Sequence, residues 1–284
     1  MNTLAETELF HEAINHWWKS KREAQARTAA RDAAKAAGKK SKQQGGTRDA
    51  NTHGKTMDEF AETLRRFLID WGVKSEHIFS GGHLTTAPAI LPSYFRPSKN
   101  WDLIVLGNSR FHPAPDDAGD PVLYAAVEFK SQDKSIGNNQ NNRLEESIGN
   151  AHDFWVTYAH SGFARQQPRP WLGYLFVGKH ERASDDETVE VKQPHFLVTP
   201  PFRRSGSDET RCFDGPSYFE RYQIFMRQIV GARLYDAGAF IVTDESMATE
   251  KTNYRIPLPE FGPANFLRGL KAQILAHYPG AHLR

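Results

Sequence analysis

The chain has 284 residues and an almost even balance of charge, with 36 Lys or Arg against 34 Asp or Glu. Hydrophobic residues make up 39% and charged residues 25%, which is ordinary for a globular protein and excludes a highly charged disordered chain. No apolar run approaches the roughly 20 residues of a membrane span, and no signal-peptide segment is visible. One cysteine, Cys212, excludes an internal disulfide, so we expect a cytoplasmic protein without a membrane partner.

The chain opens with a predicted amphipathic helix. Phe10, Ile14 and Trp17 recur at helical spacing, and the helix runs on through alanines toward Ala37. The Gly-, Lys- and Gln-rich residues 38–46 then predict a linker or loop.

Residues 19–55 are strongly basic, with eleven Lys or Arg against three acids. Such a segment is either a phosphate-contacting arm or a solvated helix end. We predict that residues 1–55 form an N-terminal helix with a basic arm or linker, and that residues 56–284 form the main domain.

A second helix is predicted from Thr56, where Thr56 and Glu59 form a capping box, to about Gly72. Prolines then predict an extended, irregular approach to Asp102, and residues 108–121 predict a long hairpin loop. Apolar periodicity predicts the remaining elements. The strands are predicted at residues 78–79, 103–106, 122–131, 171–177, 195–198 and 239–242, and the helices at residues 144–158, 218–235 and 266–277. The fold class is therefore α/β, with a mixed central sheet flanked by helices.

Two short apolar runs carry charged residues at one end. Asp102 opens the run Leu-Ile-Val-Leu, whereas Glu128 and Lys130 close the run that starts at Val122. The period of two along a strand puts Glu128 and Lys130 on one face and Phe129 on the other, in the core. If the two strands pair, Asp102 joins them. Two carboxylates and a lysine suit a divalent cation and an activated water, and hence phosphodiester hydrolysis.

The same pattern also allows a purely structural ion pair. Glu-x-Lys is a common sequence, and a second copy occurs at Glu190 and Lys192, where no buried strand precedes it. The first copy differs because it follows a buried strand, and burying an ionised residue costs free energy unless a partner or a bound ion compensates for it. The pattern alone leaves both interpretations open.

Longer blocks of the chain are more specific, and from about residue 54 onward it resembles the XhoI family of type II restriction endonucleases. The blocks are Leu91-Pro-Ser-Tyr-Phe-Arg-Pro-Ser-Lys-Asn-Trp-Asp102, Glu128-Phe-Lys-Ser-Gln132, Gly137-Asn-Asn-Gln-Asn-Asn-Arg143, Glu145-Glu146, Ala151-His-Asp-Phe-Trp155 and Pro170-Trp-Leu-Gly-Tyr-Leu-Phe176. The resemblance implies a PD-(D/E)xK nuclease with a restriction-endonuclease-like core. It further implies a Mg²⁺-dependent homodimer that cuts double-stranded DNA at the palindrome CTCGAG and leaves 5′ overhangs. A cognate DNA methyltransferase would protect the host without being a stable partner.

The chain also departs from the family. Trp101 stands where the superfamily has a proline, and both the loop at residues 108–121 and the basic N-terminal arm are longer than expected. These departures leave open altered DNA contacts or a different target.

By this resemblance, Asp102 and Glu128 would bind Mg²⁺, with the Phe129 carbonyl as a further ligand, and Lys130 would orient or help deprotonate the attacking water. Glu59 or Glu62 could add a carboxylate, although Glu59 also suits a cap.

The asparagine-rich stretch after Lys130 is predicted to be a loop that faces the duplex. Amide side chains suit adenine and arginine suits guanine, although asparagine clusters also simply form turns. The predicted DNA-binding residues are Asn138, Asn139, Asn141, Asn142 and Arg143. Two other functions stay open: a structure-specific repair or junction nuclease, and a catalytically silent sequence-specific DNA-binding protein.

Overall fold

The computed structural model describes residues 3–37, 57–80, 89–107, 122–133, 136–163, 168–180, 216–249 and 253–282. The helices in these ranges are α1 (Thr3–Ala36), α2 (Asp58–Asp70), α3 (Ile136–Ala159), α4 (Tyr218–Gly231) and α5 (Pro263–His277). The strands are β1 (Ile78–Ser80), β2 (Ile90–Pro92), β3 (Ser98–Asn100), β4 (Leu103–Leu106), β5 (Leu123–Gln132), β6 (Trp171–Lys179) and β7 (Ala237–Thr243).

Five strands form one mixed sheet in the order β1, β4, β5, β6, β7. Neighbours among β1, β4 and β5 are antiparallel, whereas β5, β6 and β7 are parallel. The antiparallel pairing of β4 with β5 is the one that the predicted hairpin requires, although its loop at residues 108–121 lies outside the described ranges. The strands β2 and β3 pair separately as a small antiparallel hairpin. The predicted fold class, a mixed central sheet flanked by helices, is confirmed.

The sheet separates two apolar cores. On one face, α1, α2 and α5 pack against alternate residues of β5, among them Val127 and Phe129. On the other face, α3 and α4 pack against the intervening residues, among them Ala126. The period of two therefore turns Phe129 into one core, whereas Glu128 and Lys130 point toward α3, as predicted.

The first helix is joined to the carboxyl ends of two parallel strands. Trp18 Nε1 donates to Thr243 Oγ1 at the end of β7 at 2.9 Å, and Lys21 Nζ binds Asp133 Oδ2, just beyond β5, at 2.6 Å. Because Lys21 is buried in this ion pair, it is not available as a phosphate contact of the predicted basic arm. Helix α1 shares its apolar core with α2 and α5, while the domain boundary at residue 55 stays a prediction.

Several local predictions were wrong in detail. Helix α2 begins at Asp58 with Met57 as its N-cap, and Thr56 lies outside the described ranges. The proline-rich approach to Asp102 folds as the β2–β3 hairpin because its prolines lie at or beyond the strand ends.

The strand predicted at residues 195–198 falls on residues that the structure does not describe. None of the helices within the described ranges has the length and apolar character that crossing a bilayer requires.

Candidate active site

The candidate site forms where β4 begins, beside the second half of β5. Pairing of the two strands starts at Leu103, and the residue before it, Asp102, turns its carboxylate toward β5. Oδ2 of Asp102 accepts the backbone N–H of Phe129 at 2.7 Å, a bond that the backbone of a longer β4 would otherwise have made. This hydrogen bond holds Asp102 beside Glu128, the neighbour of Phe129.

The Glu128 carboxylate is only 1% exposed and is surrounded by donors. Its Oε1 accepts a hydrogen bond from Asn150 Nδ2 on α3 at 2.6 Å. The same oxygen lies 3.2 Å from Lys130 Nζ and 3.5 Å from Lys99 Nζ. Its Oε2 accepts the hydroxyl hydrogen of Tyr235. Two cations and two neutral donors thus replace the water that this carboxylate loses on burial.

Lys130 lies between two carboxylates. Its Nζ is 3.2 Å from Glu128 and 2.8 Å from Glu146 on α3. Burial would lower the pKa of Lys130, but the charges of Glu128 and Glu146 outweigh burial and raise the pKa above its ordinary value. Lys130 therefore stays protonated near neutral pH, which suits a residue that orients a water molecule and stabilises negative charge better than one that removes a proton.

The two acidic residues have opposite pKa shifts. Burial raises the pKa of Asp102 to about 6, helped by the nearby charge of Glu128 and opposed by the Phe129 N–H. Burial would also raise the pKa of Glu128, but the charges of Lys130 and Lys99 and the Tyr235 hydroxyl outweigh it and lower that pKa. A buried carboxylate with a raised pKa favours a bound cation, because the added positive charge offsets the lost hydration.

The residues present fit a small hard cation. Asp102 and Glu128 supply carboxylate oxygens, the ligand type that Mg²⁺ prefers. The N–H and C=O of one strand residue point to the same neighbour, so the Phe129 carbonyl points to the side on which Asp102 accepts the Phe129 N–H. Within the described ranges no three or more His, Cys, Asp or Glu residues gather as a metal site. Two carboxylates, a carbonyl and several waters match the habit of Mg²⁺ to keep part of its hydration shell.

The predicted third carboxylate is not at this site. Glu59 lies 3.5 Å from His16 of α1 and 3.6 Å from Arg66, and Glu62 is also 3.6 Å from Arg66. Both acids therefore belong to an ion-pair cluster between α1 and α2, whose apolar residues pack on the opposite face of the sheet from Glu128.

The predicted DNA-binding residues lie in the first turns of α3 and not in a loop. They are Asn138, Asn139, Asn141, Asn142 and Arg143. Asparagine favours turns, but here tertiary contacts override that preference. The buried Gln140 donates to the Tyr218 carbonyl at 2.6 Å, which ties the start of α3 to the start of α4.

Arg143 and Asn141 bond to other parts of the protein. Arg143 Nε donates to Gln132 Oε1 at the end of β5 at 3.2 Å, and Asn141 Oδ1 accepts from Arg221 of α4 at 2.9 Å. Asn142 is exposed. Because α3 follows directly on β5, these turns lie near the carboxyl end of β5, close to Lys130. That they contact DNA stays a prediction.

Sequence reasoning missed several residues that hold the site together. They are Lys99, Glu146, Asn150 and Tyr235. Glu146, Asn150 and Asp153 are spaced by four and three residues, which places them on one face of α3, and this polar stripe was the available signal. No local pattern marks Tyr235, which lies 107 residues from Glu128 in the sequence.

Comparison with known proteins identifies the family of this chain. A family model described as "Restriction endonuclease XhoI" matches residues 36–255. The type II restriction enzyme BstVI of Geobacillus stearothermophilus is 36% identical over 201 residues, 70% of this chain and 79% of the relative. AbrI of Azospirillum brasilense is 38% identical over 143 residues (50% and 56%), and XhoI of Xanthomonas vasicola is 32% identical over 188 residues (66% and 64%). No solved structure gives a significant match. A match over most of the chain, which spans β4, β5 and α3 with all their acidic and basic side chains, makes this protein a member of the XhoI family of type II restriction endonucleases.

Proposed function

We propose that this protein is a Mg²⁺-dependent endonuclease that hydrolyses both strands of double-stranded DNA at the palindrome CTCGAG and leaves 5′ overhangs. Membership of a type II restriction endonuclease family supports site-specific cleavage of DNA. The observation that carries the proposed chemistry is the meeting of Asp102, Glu128 and Lys130 where β4 begins beside the central strand β5, with the Asp102 carboxylate bonded directly to the backbone of β5.

The cation would be held by Asp102, Glu128 and the Phe129 carbonyl. When bound, it supplies a Lewis acid that polarises the scissile phosphate and lowers the pKa of a water molecule. Asn150 and the Tyr235 hydroxyl fix the orientation of Glu128 by occupying one oxygen each. Their role is positional, because both residues are buried and each donates a hydrogen bond to the carboxylate.

The two lysines supply positive charge to the reaction. Lys130, held protonated by Glu128 and Glu146, orients the attacking water and stabilises the negative charge that develops on the oxygens of the five-coordinate phosphorus. Lys99 adds a second cation at Glu128, and its Nζ lies 4.5 Å from the centre of the Trp101 ring, which limits where the ammonium can move.

A palindromic target that is cut on both strands requires two active sites related by a two-fold axis, so we propose a homodimer. A restriction role also requires a DNA methyltransferase that protects the host sequence. We propose a cytoplasmic location, where the DNA substrate and reduced thiols are found.

The test is digestion of a long, sequenced DNA with Mg²⁺, with EDTA, and with a Lys130→Ala variant, followed by sequencing of the ends. Lys192→Ala is the matched control because it changes the lysine of the second Glu-x-Lys sequence. We expect discrete fragments that end at one palindrome, made by the wild type and by Lys192→Ala only with Mg²⁺, and lost with Lys130→Ala. Cleavage of branched DNA without sequence preference would instead identify a junction nuclease. Specific binding without any cleavage would identify a silent DNA-binding protein.

A further inference from the structure

The turn of the β2–β3 hairpin exposes two neighbouring aromatic side chains. Tyr94 is 52% exposed and Phe95 is 66% exposed. Large aromatic rings usually bury most of their surface in a core or an interface. We call these two residues the hairpin tip.

The hairpin tip is held rigidly by one buried carboxylate. Asp153 of α3 accepts hydrogen bonds from Ser93 Oγ at 2.7 Å, Tyr94 N at 2.9 Å, Phe95 N at 3.1 Å and Arg96 Nε at 2.9 Å. These bonds fix the backbone of the turn against α3. The exposure of the two rings is therefore a property of an ordered turn and not of a loose loop.

The rings themselves rest on two histidines of the same helix. The Tyr94 ring centre lies 4.6 Å from that of His160, and the Phe95 ring lies nearly parallel to that of His152 with 5.9 Å between centres. One side of each ring is thus supported, and the rest of each ring faces outward.

A chain of hydrogen bonds connects the hairpin tip to the active site. Arg96 Nη2 donates to Asn150 Oδ1 at 2.8 Å, and Asn150 donates to Glu128 at 2.6 Å. The same hairpin carries Lys99, whose Nζ is 3.5 Å from Glu128. Lys99 follows Phe95 by four residues, so their Cα atoms are at most about 14 Å apart even if the chain between them were extended. Measured along the axis of the double helix, that distance corresponds to about four base-pair steps.

We propose that the hairpin tip contacts the bases of the substrate DNA beside the cleaved phosphate, by stacking on them or by inserting between them. This inference rests on the proposed function. A duplex whose scissile phosphate lies at Glu128 passes within reach of the tip, and aromatic faces stack on bases of any sequence or wedge between base steps. The same turn also supplies a hydrogen-bond donor for a phosphate.

That donor is on Arg96, whose charge is paired with Asp153 through Nε. Its side chain is about two-fifths exposed, and among the described residues its Nη1 has no partner, so it can donate to a phosphate. Asp153, the nearest acid, is buried beneath its four donors. A second copy of this chain fits less well, because two rings provide far less surface than the roughly 800 Å² per partner of a stable dimer.

The test measures binding of a fluorescent duplex in EDTA, where no cleavage occurs. The duplex carries the sequence at which the digestion fragments end. The variants are Tyr94→Ser/Phe95→Ser and Phe95→Leu, which keeps an apolar side chain but removes the aromatic face. Ile90→Thr is the matched control, since Ile90 lies on the same hairpin and is 41% exposed. We expect the double variant to bind at least about tenfold more weakly, Phe95→Leu to bind severalfold more weakly, and Ile90→Thr to bind like the wild type.

Sedimentation and thermal melting of each variant accompany the binding measurement. Equal affinity of the wild type and Phe95→Leu, which keeps the hairpin intact, would overturn the inference. Loss of a dimer in the double variant would overturn it as well and assign the hairpin tip to contact between copies. Failure of the inference is separable from failure of the proposed function: in the first case the tip variants cut and bind DNA normally, and in the second the wild type itself does not cut.

Discussion

Replacing Asp102 by Asn should abolish cleavage and at the same time stabilise the protein when no divalent cation is present. Burial, helped by the nearby charge of Glu128, raises the pKa of Asp102 to about 6, from the 3.8 of an unperturbed Asp. A group with a raised pKa destabilises the folded state at any pH at which it is ionised there. Asparagine keeps an oxygen that accepts the Phe129 N–H but carries no charge.

The magnitude follows from the pKa difference of about two units. At 1.36 kcal/mol per unit, the ionised carboxylate costs at most about 3 kcal/mol above pH 6. Partial exposure of Asp102 reduces this figure, so we expect a gain of about 1–2 kcal/mol in the free energy of unfolding. For a chain of this length that gain corresponds to a rise of several degrees in Tm.

The assay is thermal melting of both proteins in EDTA between pH 8 and pH 4.5. The difference between Asp102→Asn and the wild type should be largest at pH 8 and should shrink as the pH falls below 6, because the wild-type carboxyl then takes up a proton in the folded state. Added Mg²⁺ should raise the Tm of the wild type and not that of Asp102→Asn.

Asp153→Asn is the matched control. Burial would raise the pKa of Asp153, but the Ser93 hydroxyl, the Phe95 and Tyr94 N–H groups and Arg96 outweigh it and lower that pKa. The same chemical change should therefore reduce the Tm at pH 8. An Asp102→Asn variant that melts at or below the wild-type Tm in EDTA at pH 8 would refute the view that the ionised Asp102 carboxylate is a source of instability.

Two further substitutions test the attachment of the first helix and the orientation of Glu128. Lys21→Met leaves the Asp133 carboxylate without its lysine and should lower the free energy of unfolding by about 3 kcal/mol in a urea titration; an unchanged midpoint would mean that the buried pair adds nothing. Tyr235→Phe removes one donor from Glu128 and should slow cleavage about tenfold without changing DNA affinity in EDTA. A wild-type rate for Tyr235→Phe would show that Asn150 and the lysines are sufficient to orient Glu128.

The parts of the site that depend on strand geometry could be predicted from the sequence. The period of two placed Glu128 and Lys130 on one face and Phe129 in the core, and two consecutive strands joined by a loop were expected to pair and to bring Asp102 alongside. The proposed roles of these residues rest on the resemblance and on the geometry together.

The parts that depend on long-range contacts could not be predicted. Helical periodicity continued the fourth helix to Tyr235, but the helix ends at Gly231 and Arg233 adopts a left-handed conformation with φ of 58°. This turn, which a non-glycine residue rarely makes, directs the Tyr235 hydroxyl to Glu128. No pattern in residues 218–235 indicates it.

The asparagine-rich stretch shows a second reason for error. Local preference favoured a turn, whereas the fold uses the stretch to begin a helix whose later turns carry Glu146 and Asn150 to the site. The prolines near Asp102 misled in the same way, because they lie at the borders of a short hairpin and not within an irregular segment.

The attachment of the first helix has a consequence for how the protein is made. Trp18 is bonded to a threonine 225 positions later, and His11 and Asn15 contact Asn253 from an equally large separation. Such contacts raise the contact order, which slows folding, and they cannot form until the carboxyl-terminal third of the chain has been synthesised. Until then the nascent chain also lacks Tyr235, one of the two neutral donors that orient Glu128. The surroundings of Glu128 and the attachment of the first helix are therefore completed only once residues 235–253 have been synthesised, and a chain that stops before residue 235 would contain β5 without the Tyr235 donor.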